Sequence, residues 1–188
     1  MSTRHLQALP AVQSALVIVD IQERLFATMS PEGQANLLKN TPILIASARE
    51  LAVPMIVTEQ YPKGLGRTIP ALQEAIAGLP LVEKVEFAAT LVSTFNDLLA
   101  KTRRRQVVLC GMESHICVYQ TALGLLAQGY GVQVVADALA TRDPKNHAIA
   151  LDLLRQAGCS ITCTEAVLFQ WLERAGTESF KKLQKLIL

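Results

Sequence analysis

The stretch Gln106-Val107-Val108-Leu109-Cys110-Gly111-Met112-Glu113-Ser114-His115-Ile116-Cys117 joins an apolar run to the opening of a helical pattern. Residues 106–110 are too apolar to keep one face wet, so they read as a strand covered on both sides. Residues 116–128 read as a helix, with Gly129 placed where a left-handed cap would end it. A buried strand feeding a helix is half of a parallel βαβ unit.

The same unit recurs on either side. Strands are expected at 15–19, 55–58, 81–84, 106–110, 133–136 and 160–164, and helices at 32–51, 71–77, 91–101, 116–128 and 144–157. The expected architecture is α/β: a doubly wound, about six-stranded parallel sheet with helices on both faces, in one domain over 1–188. Pro144 suits a first helical turn and Gly158 a helix end. Ala150, Leu153, Leu154 and Ala157 recur at spacings of three and four beside Asp152, Arg155 and Gln156, so that helix covers a sheet face. Phe180, Leu183, Leu186 and Ile187 stand against Lys181, Lys182 and Lys185; a terminal helix docked on its own or a neighbouring subunit is preferred over a membrane-surface helix. Residues 59–70, with Pro62, Gly64, Gly66 and Pro70, read as a long irregular loop of the kind that serves function.

Hydrophobic residues make up 51% of the chain and charged residues 18%, which leaves apolar surface for a homo-oligomeric contact. The net charge of +2 is spread among both signs, and Arg103-Arg104-Arg105 reads as a solvated turn, so no nucleic-acid partner is expected. Residues 1–13 hold no secretory apolar run, and no stretch reaches the ~18 apolar residues of a membrane span. A cytoplasmic protein with reduced thiols at 110, 117, 159 and 163 is expected, without membrane association.

Ligands of open parallel sheets bind at the carboxyl ends of the strands. Asp20 ends the first strand, Lys84 ends the third, and Cys117 follows the fourth at a helix opening. Each has a plainer reading: a turn cap for Asp20, a solvated strand end for Lys84, a small core residue for Cys117. For the cysteine, position favours reactivity, because first-turn N–H groups and a nearby lysine stabilise a thiolate, with burial and Asp20 opposing. Cys117 is expected to alkylate before Cys110, Cys159 and Cys163, which are assigned to core. His5, His115 and His147 have no ligand spacing, and neither Gly64-Leu65-Gly66 nor Gly129-Tyr130-Gly131 forms a phosphate or dinucleotide loop.

Val17-Ile18-Val19-Asp20-Ile21-Gln22, Glu83-Lys84-Val85-Glu86-Phe87 and Cys110-Gly111-Met112-Glu113-Ser114-His115-Ile116-Cys117-Val118-Tyr119-Gln120-Thr121-Ala122 closely resemble, in order, three signature segments of the isochorismatase-like cysteine hydrolases. Val135-Ala136-Asp137-Ala138 resembles a fourth. The resemblance covers nearly the whole chain. It implies a Rossmann-like three-layer fold and an Asp-Lys-Cys triad at Asp20, Lys84 and Cys117, the residues that strand position also selects. It implies a cis peptide between Met112 and Glu113, and an oxyanion hole from the backbone N–H groups of Glu113 and Cys117. The implied activity is hydrolysis of a small amide, carbamoyl or related carbonyl compound through a thioester, without a cofactor.

The chain departs from two branches of that family. Where nicotinamidases carry an Asp-x-His metal motif it reads Thr58-Glu59-Gln60-Tyr61-Pro62, so no metal is expected. True isochorismatase lacks the cysteine, which disfavours vinyl-ether cleavage. Phe26, Gln60, Phe87 and Glu113 are the expected pocket walls for a small-molecule substrate. Two other classes stay open: a non-catalytic oligomeric binding module, against which the intact Asp20, Lys84 and Cys117 argue, and a thiol redox protein, which no Cys-x-x-Cys supports.

Overall fold

The computed structural model describes residues 8–188; His5 and the other residues before Ala8 lie outside it. Strands β1 (Ser14–Val19), β2 (Met55–Gln60), β3 (Leu81–Lys84), β4 (Gln106–Met112), β5 (Gly131–Ala140) and β6 (Ser160–Thr162) form one parallel sheet in the order β3-β2-β1-β4-β5-β6. The connections carry α1 (Glu23–Phe26), α2 (Pro31–Glu50), α3 (Pro62–Leu65), α4 (Pro70–Ile76), α5 (Ser93–Lys101), α6 (Tyr119–Ala127), α7 (Pro144–Ala157), α8 (Thr164–Leu172) and α9 (Glu178–Leu183). Chain order reverses between β1 and β4, and there a doubly wound sheet opens a crevice at its carboxyl edge.

Alternation along each strand divides the core into two layers. Leu16, Ile18, Val57, Val108 and Cys110 pack with Leu37 and Leu44 of α2, Leu72 of α4, and Val167 and Trp171 of α8. Ala15, Val17, Val19, Leu109 and Val134 pack with Phe95 and Leu99 of α5, Ala122 and Leu125 of α6, and Leu154 of α7. A fully buried aliphatic or aromatic side chain contributes about 1.5–3 kcal/mol, so the two layers fix the sheet edge rigidly. α9 docks within its own chain, where Leu183 joins Ile43, Leu168 and Leu172.

Several expectations give way to the structure. Residues 59–70 are not an irregular loop: β2 runs to Gln60, and α3 follows, pinned by a bridge between Gln22 and Thr68. β5 is longer than expected because it bulges; Leu109 faces Val134 but Gly111 faces Leu139. The bulge carries Asp137, whose Oδ1 accepts from the Thr164 N–H (2.8 Å) and hydroxyl (2.9 Å) and thereby caps α8. β6 stops at Thr162, so Cys163 is an exposed residue at the head of α8 and no core residue, whereas Cys159 is buried.

Candidate functional site

Asp20 leaves β1 with φ +50°, a left-handed conformation that aspartate tolerates better than most residues, and it is wholly buried. Its Oδ1 accepts from the Thr58 hydroxyl at 2.6 Å, and its Oδ2 from Lys84 Nζ at 2.6 Å. Both side chains of the ion pair are shut from solvent, at 0% exposure. Lys84 Nζ also meets Gln60 Oε1 (2.8 Å) and the carbonyl oxygens of Glu86 (3.2 Å) and Phe87 (3.3 Å). With Asp20 Oδ2 these make four acceptors around one nitrogen, so Lys84 Nζ is held in place.

Gln60 is held in turn. Its Nε2 donates to the Val85 carbonyl at 2.8 Å, its main-chain N–H donates to Gln22 Oε1 at 2.7 Å, and its carbonyl accepts from Gln22 Nε2 at 2.9 Å. Gln22 Nε2 reaches Gly66 O at 2.7 Å as well, tying the ends of β1 and β2 to the segment after α3. With both ends of its amide engaged, Gln60 braces Lys84.

Cys117 reaches the same place from the other strand. β4 ends against β1, and Gly111 must be glycine there: φ is +125° and a Cβ would lie 2.0 Å from the Val19 carbonyl oxygen. The Met112–Glu113 peptide is cis. The chain then makes a wide turn, Ser114–Val118, in which the Val118 N–H reaches back to Glu113 O at 3.2 Å, before α6 begins. Cys117 is 5% exposed, and the Asp20 carboxylate, Lys84 and the Glu113 N–H all act on its thiol. Asp20, Lys84 and Cys117 thus lie in one buried cluster at the carboxyl edge of the sheet.

Burial, then the Asp20 charge, push Cys117 up to about 12 against the opposing pull of Lys84 and the Glu113 N–H. The balance of effects at Cys117 thus favours the thiol, with burial the largest of them. Burial alone holds Cys110 at about 12 too. In the unfolded chain both ionise near ~8.5, so their stabilising effect is complete below that pH and is lost as pH climbs toward 12. Between about pH 9 and 11, the unfolding free energy from urea titrations should fall less steeply in Cys110→Ala/Cys117→Ala than in the parent. Parallel slopes would clear the thiols of responsibility.

Glu113 is buried, but its carboxylate points away from Lys84. Oε2 accepts from the Thr141 hydroxyl (3.0 Å) and the Arg142 N–H (3.1 Å), and both oxygens accept from Arg142 Nε at 3.1 Å. Burial opposes its ionisation, yet these Arg142 and Thr141 donors outweigh burial and hold the carboxyl below its ordinary range. His115 Nδ1 meets the Thr141 hydroxyl at 2.8 Å. Phe26 is half-buried on α1, and Phe87 is 52% exposed beside its lysine-bound carbonyl. Thr58, Gln22 and Arg142 are the neighbours that sequence reasoning missed. Among the described residues, no group of three His, Cys, Asp or Glu side chains is arranged to hold a metal ion, and no helix is long and apolar enough to cross a membrane.

Residues 14–166 match the isochorismatase domain family. The chain is 38% identical to isochorismatase domain-containing protein 2 of Danio rerio over 93% of its own length and 86% of that protein's. Its structure superposes on the MAR1 ribonuclease of Caenorhabditis elegans with a TM-score of 0.89 at 36% identity, covering 96% of this chain and 92% of that one. At the level of fold alone it resembles the YcaC gene product of Escherichia coli, described as an octameric hydrolase of unknown specificity (TM-score 0.86, 22% identity, 95% and 90% coverage). On its sequence match and its six-stranded parallel sheet, the chain belongs to the isochorismatase-domain family.

Proposed function

We propose that the protein is a cysteine-dependent hydrolase of a small amide, carbamoyl or related carbonyl compound, with Cys117 as nucleophile. The observation that carries this reading is the fully buried Asp20–Lys84 pair, whose charges both act on the Cys117 thiol. Such a pair needs a use, since burying two charges costs several kcal/mol per ion before their attraction is counted.

Cys117 rests neutral, so its proton leaves as it attacks. Asp20 takes the thiol proton while the sulfur adds to the carbonyl carbon, and the electron pair of the C=O moves onto oxygen. As the C–S bond forms, the Glu113 N–H passes from the sulfur to the oxyanion, which the Cys117 N–H also receives. Collapse breaks the C–N bond, Asp20 passes its proton to the leaving nitrogen, and an acyl thioester with a free amine results. Water then adds to the thioester, giving its proton through Asp20 to the departing sulfur, and the acid leaves. Lys84 orients the Asp20 carboxylate through the 2.6 Å contact and transfers no proton itself.

Gln60 acts through Lys84 as a positioning residue. Gln60→Leu should lower kcat by about 10- to 100-fold with little change in KM, the scale of a misplaced catalytic group, while Gln60→Glu, which keeps an acceptor, retains more. Equal losses in both variants, or a change confined to KM, would return Gln60 to the pocket wall.

A homo-oligomer and a reducing, cytoplasmic setting complete the reading. Ile149 and Leu153 lie one turn apart on the outer face of α7, 55% and 41% exposed, and none of the four cysteines is in a disulfide. The ribonuclease name of the nematode relative is weighed against a net charge of +2 with interspersed signs, which suits a small substrate better than a phosphodiester backbone. A panel of amides, esters and RNA, scored for released ammonia, acid or nucleotides with Cys117→Ala as control, tests it. Amide or ester turnover lost in the variant supports the reading; RNA cleavage untouched by the variant overturns it.

A further inference from the structure

His147 stands in the first turn of α7, half-buried, and borders a cleft of about 150 Å³ between α2 and α7. Its Nδ1 lies 2.9 Å from the hydroxyl of Ser114, a wholly buried residue that opens the turn carrying Cys117. The same hydroxyl donates at 3.1 Å to the carbonyl of Ala140, the last residue of β5. A hydroxyl has one proton to give and a carbonyl can only accept. The Ser114 proton therefore goes to Ala140, and the imidazole is the donor at Nδ1. Burial outweighs the pull of the Glu32 carboxylate and holds His147 below its ordinary range, so the ring is neutral at pH 7 and Nε2 is bare.

A second relay runs beside the first. The Glu113 carboxylate accepts the Thr141 proton at 3.0 Å, so His115 donates from Nδ1 to the Thr141 hydroxyl at 2.8 Å. Both relays join the segment from Glu113 to Cys117 to the chain at the end of β5, Ala140 and Thr141. His115 belongs to that segment itself, whereas His147 reaches it from another element. α7 is thereby tied to the turn that sets the Cys117 thiol against Asp20, Lys84 and the Glu113 N–H.

From these contacts we infer that His147 is a positioning residue for Cys117, a donor at Nδ1 that works through Ser114 to hold the turn of the nucleophile in place. The inference rests on Cys117 being the nucleophile, and it goes beyond that reading by assigning a role to a side chain outside the buried cluster. A reacting group needs its supporting contacts to be exact, because a small displacement costs far more in rate than the lost hydrogen bond costs in stability.

The test has two parts. Long-range proton–nitrogen spectra of the parent read the tautomer, and the His147 proton should sit on Nδ1 at neutral pH; a proton on Nε2 reverses the relay and overturns the inference. Acylation by p-nitrophenyl acetate then reads the sulfur, the Cys117-dependent part being the nitrophenolate release that disappears in Cys117→Ala. His147→Leu should slow this acylation by about 30-fold, while His147→Asn, whose amide N–H falls where Nδ1 lies, should stay within about threefold of the parent. His147→Gln, whose nitrogen falls nearer to Nε2, should resemble the leucine variant. Asparagine and glutamine differ in where the donor sits and hardly in polarity, so their comparison stands even where leucine fails to fold. Equal rates in those two variants overturn the inference and leave the nucleophile standing. If the parent shows no Cys117-dependent release, the nucleophile fails and the inference with it.

Discussion

Replacing Lys84 by methionine should cost about 3–5 kcal/mol of folding free energy, the penalty for leaving one member of a buried ion pair alone. Methionine nearly matches the volume, so the loss is electrostatic. The Asp20 carboxylate would keep the Thr58 hydroxyl but lose its cation in a place that water does not reach. Gln60 Oε1 and the carbonyls of Glu86 and Phe87 would lose a donor at the same time. Asp20→Leu/Lys84→Met removes both charges, so it should be clearly more stable than Lys84→Met, and both should be inactive. Urea unfolding of the three proteins measures this. A single variant within about 1 kcal/mol of the parent would mean that the pair is hydrated in solution, and that the fixed-cation role of Lys84 is wrong.

Cys117→Ala should lower kcat/KM on the best acyl substrate by at least about 10⁴-fold, the scale on which nucleophile deletions fall when the remaining groups act only as a unit. Stability should change far less. The sulfur is a small buried atom, and its removal also relieves the carboxylate beside it of a proton-sharing partner. The two readouts have to be taken together, since a collapse in both would only show a broken fold. Turnover within about tenfold of the parent in a folded Cys117→Ala protein would move the chemistry elsewhere.

The sequence was most legible where physics is local. The short apolar runs and the longer patterns between them identified the strands, because a strand buried on both faces has no room for polar alternation. Asp20, Lys84 and Cys117 could be picked out because a parallel sheet delivers its strand ends to one edge. Pairings across strands were hidden. Thr58 braces Asp20 and Gln60 braces Lys84 only because β2 lies between β1 and β3, an order that no single segment encodes. Asp137 lies in the fourth segment of family resemblance, and the bulge in β5 turns it to the head of α8, a partner far along the chain. α8 itself escaped notice because Val167, Leu168, Trp171 and Leu172 are all buried, which blurs the stripe that marks a surface helix. The balance at Cys117 could not be struck from sequence, because helix and lysine effects are visible there whereas the extent of burial is not.

The complete enclosure of the Asp20–Lys84 pair bears on how the site behaves in different media. Dissolved ions weaken an attraction only by gathering around it, and their screening acts over about 8 Å of solution at physiological ionic strength. A pair with no solvent contact has no such atmosphere, so concentrated salt leaves its mutual hold nearly untouched. Half-exposed Arg142 is in the opposite position. One centre therefore joins a buried pair that does not sense the electrolyte to a rim charge that does.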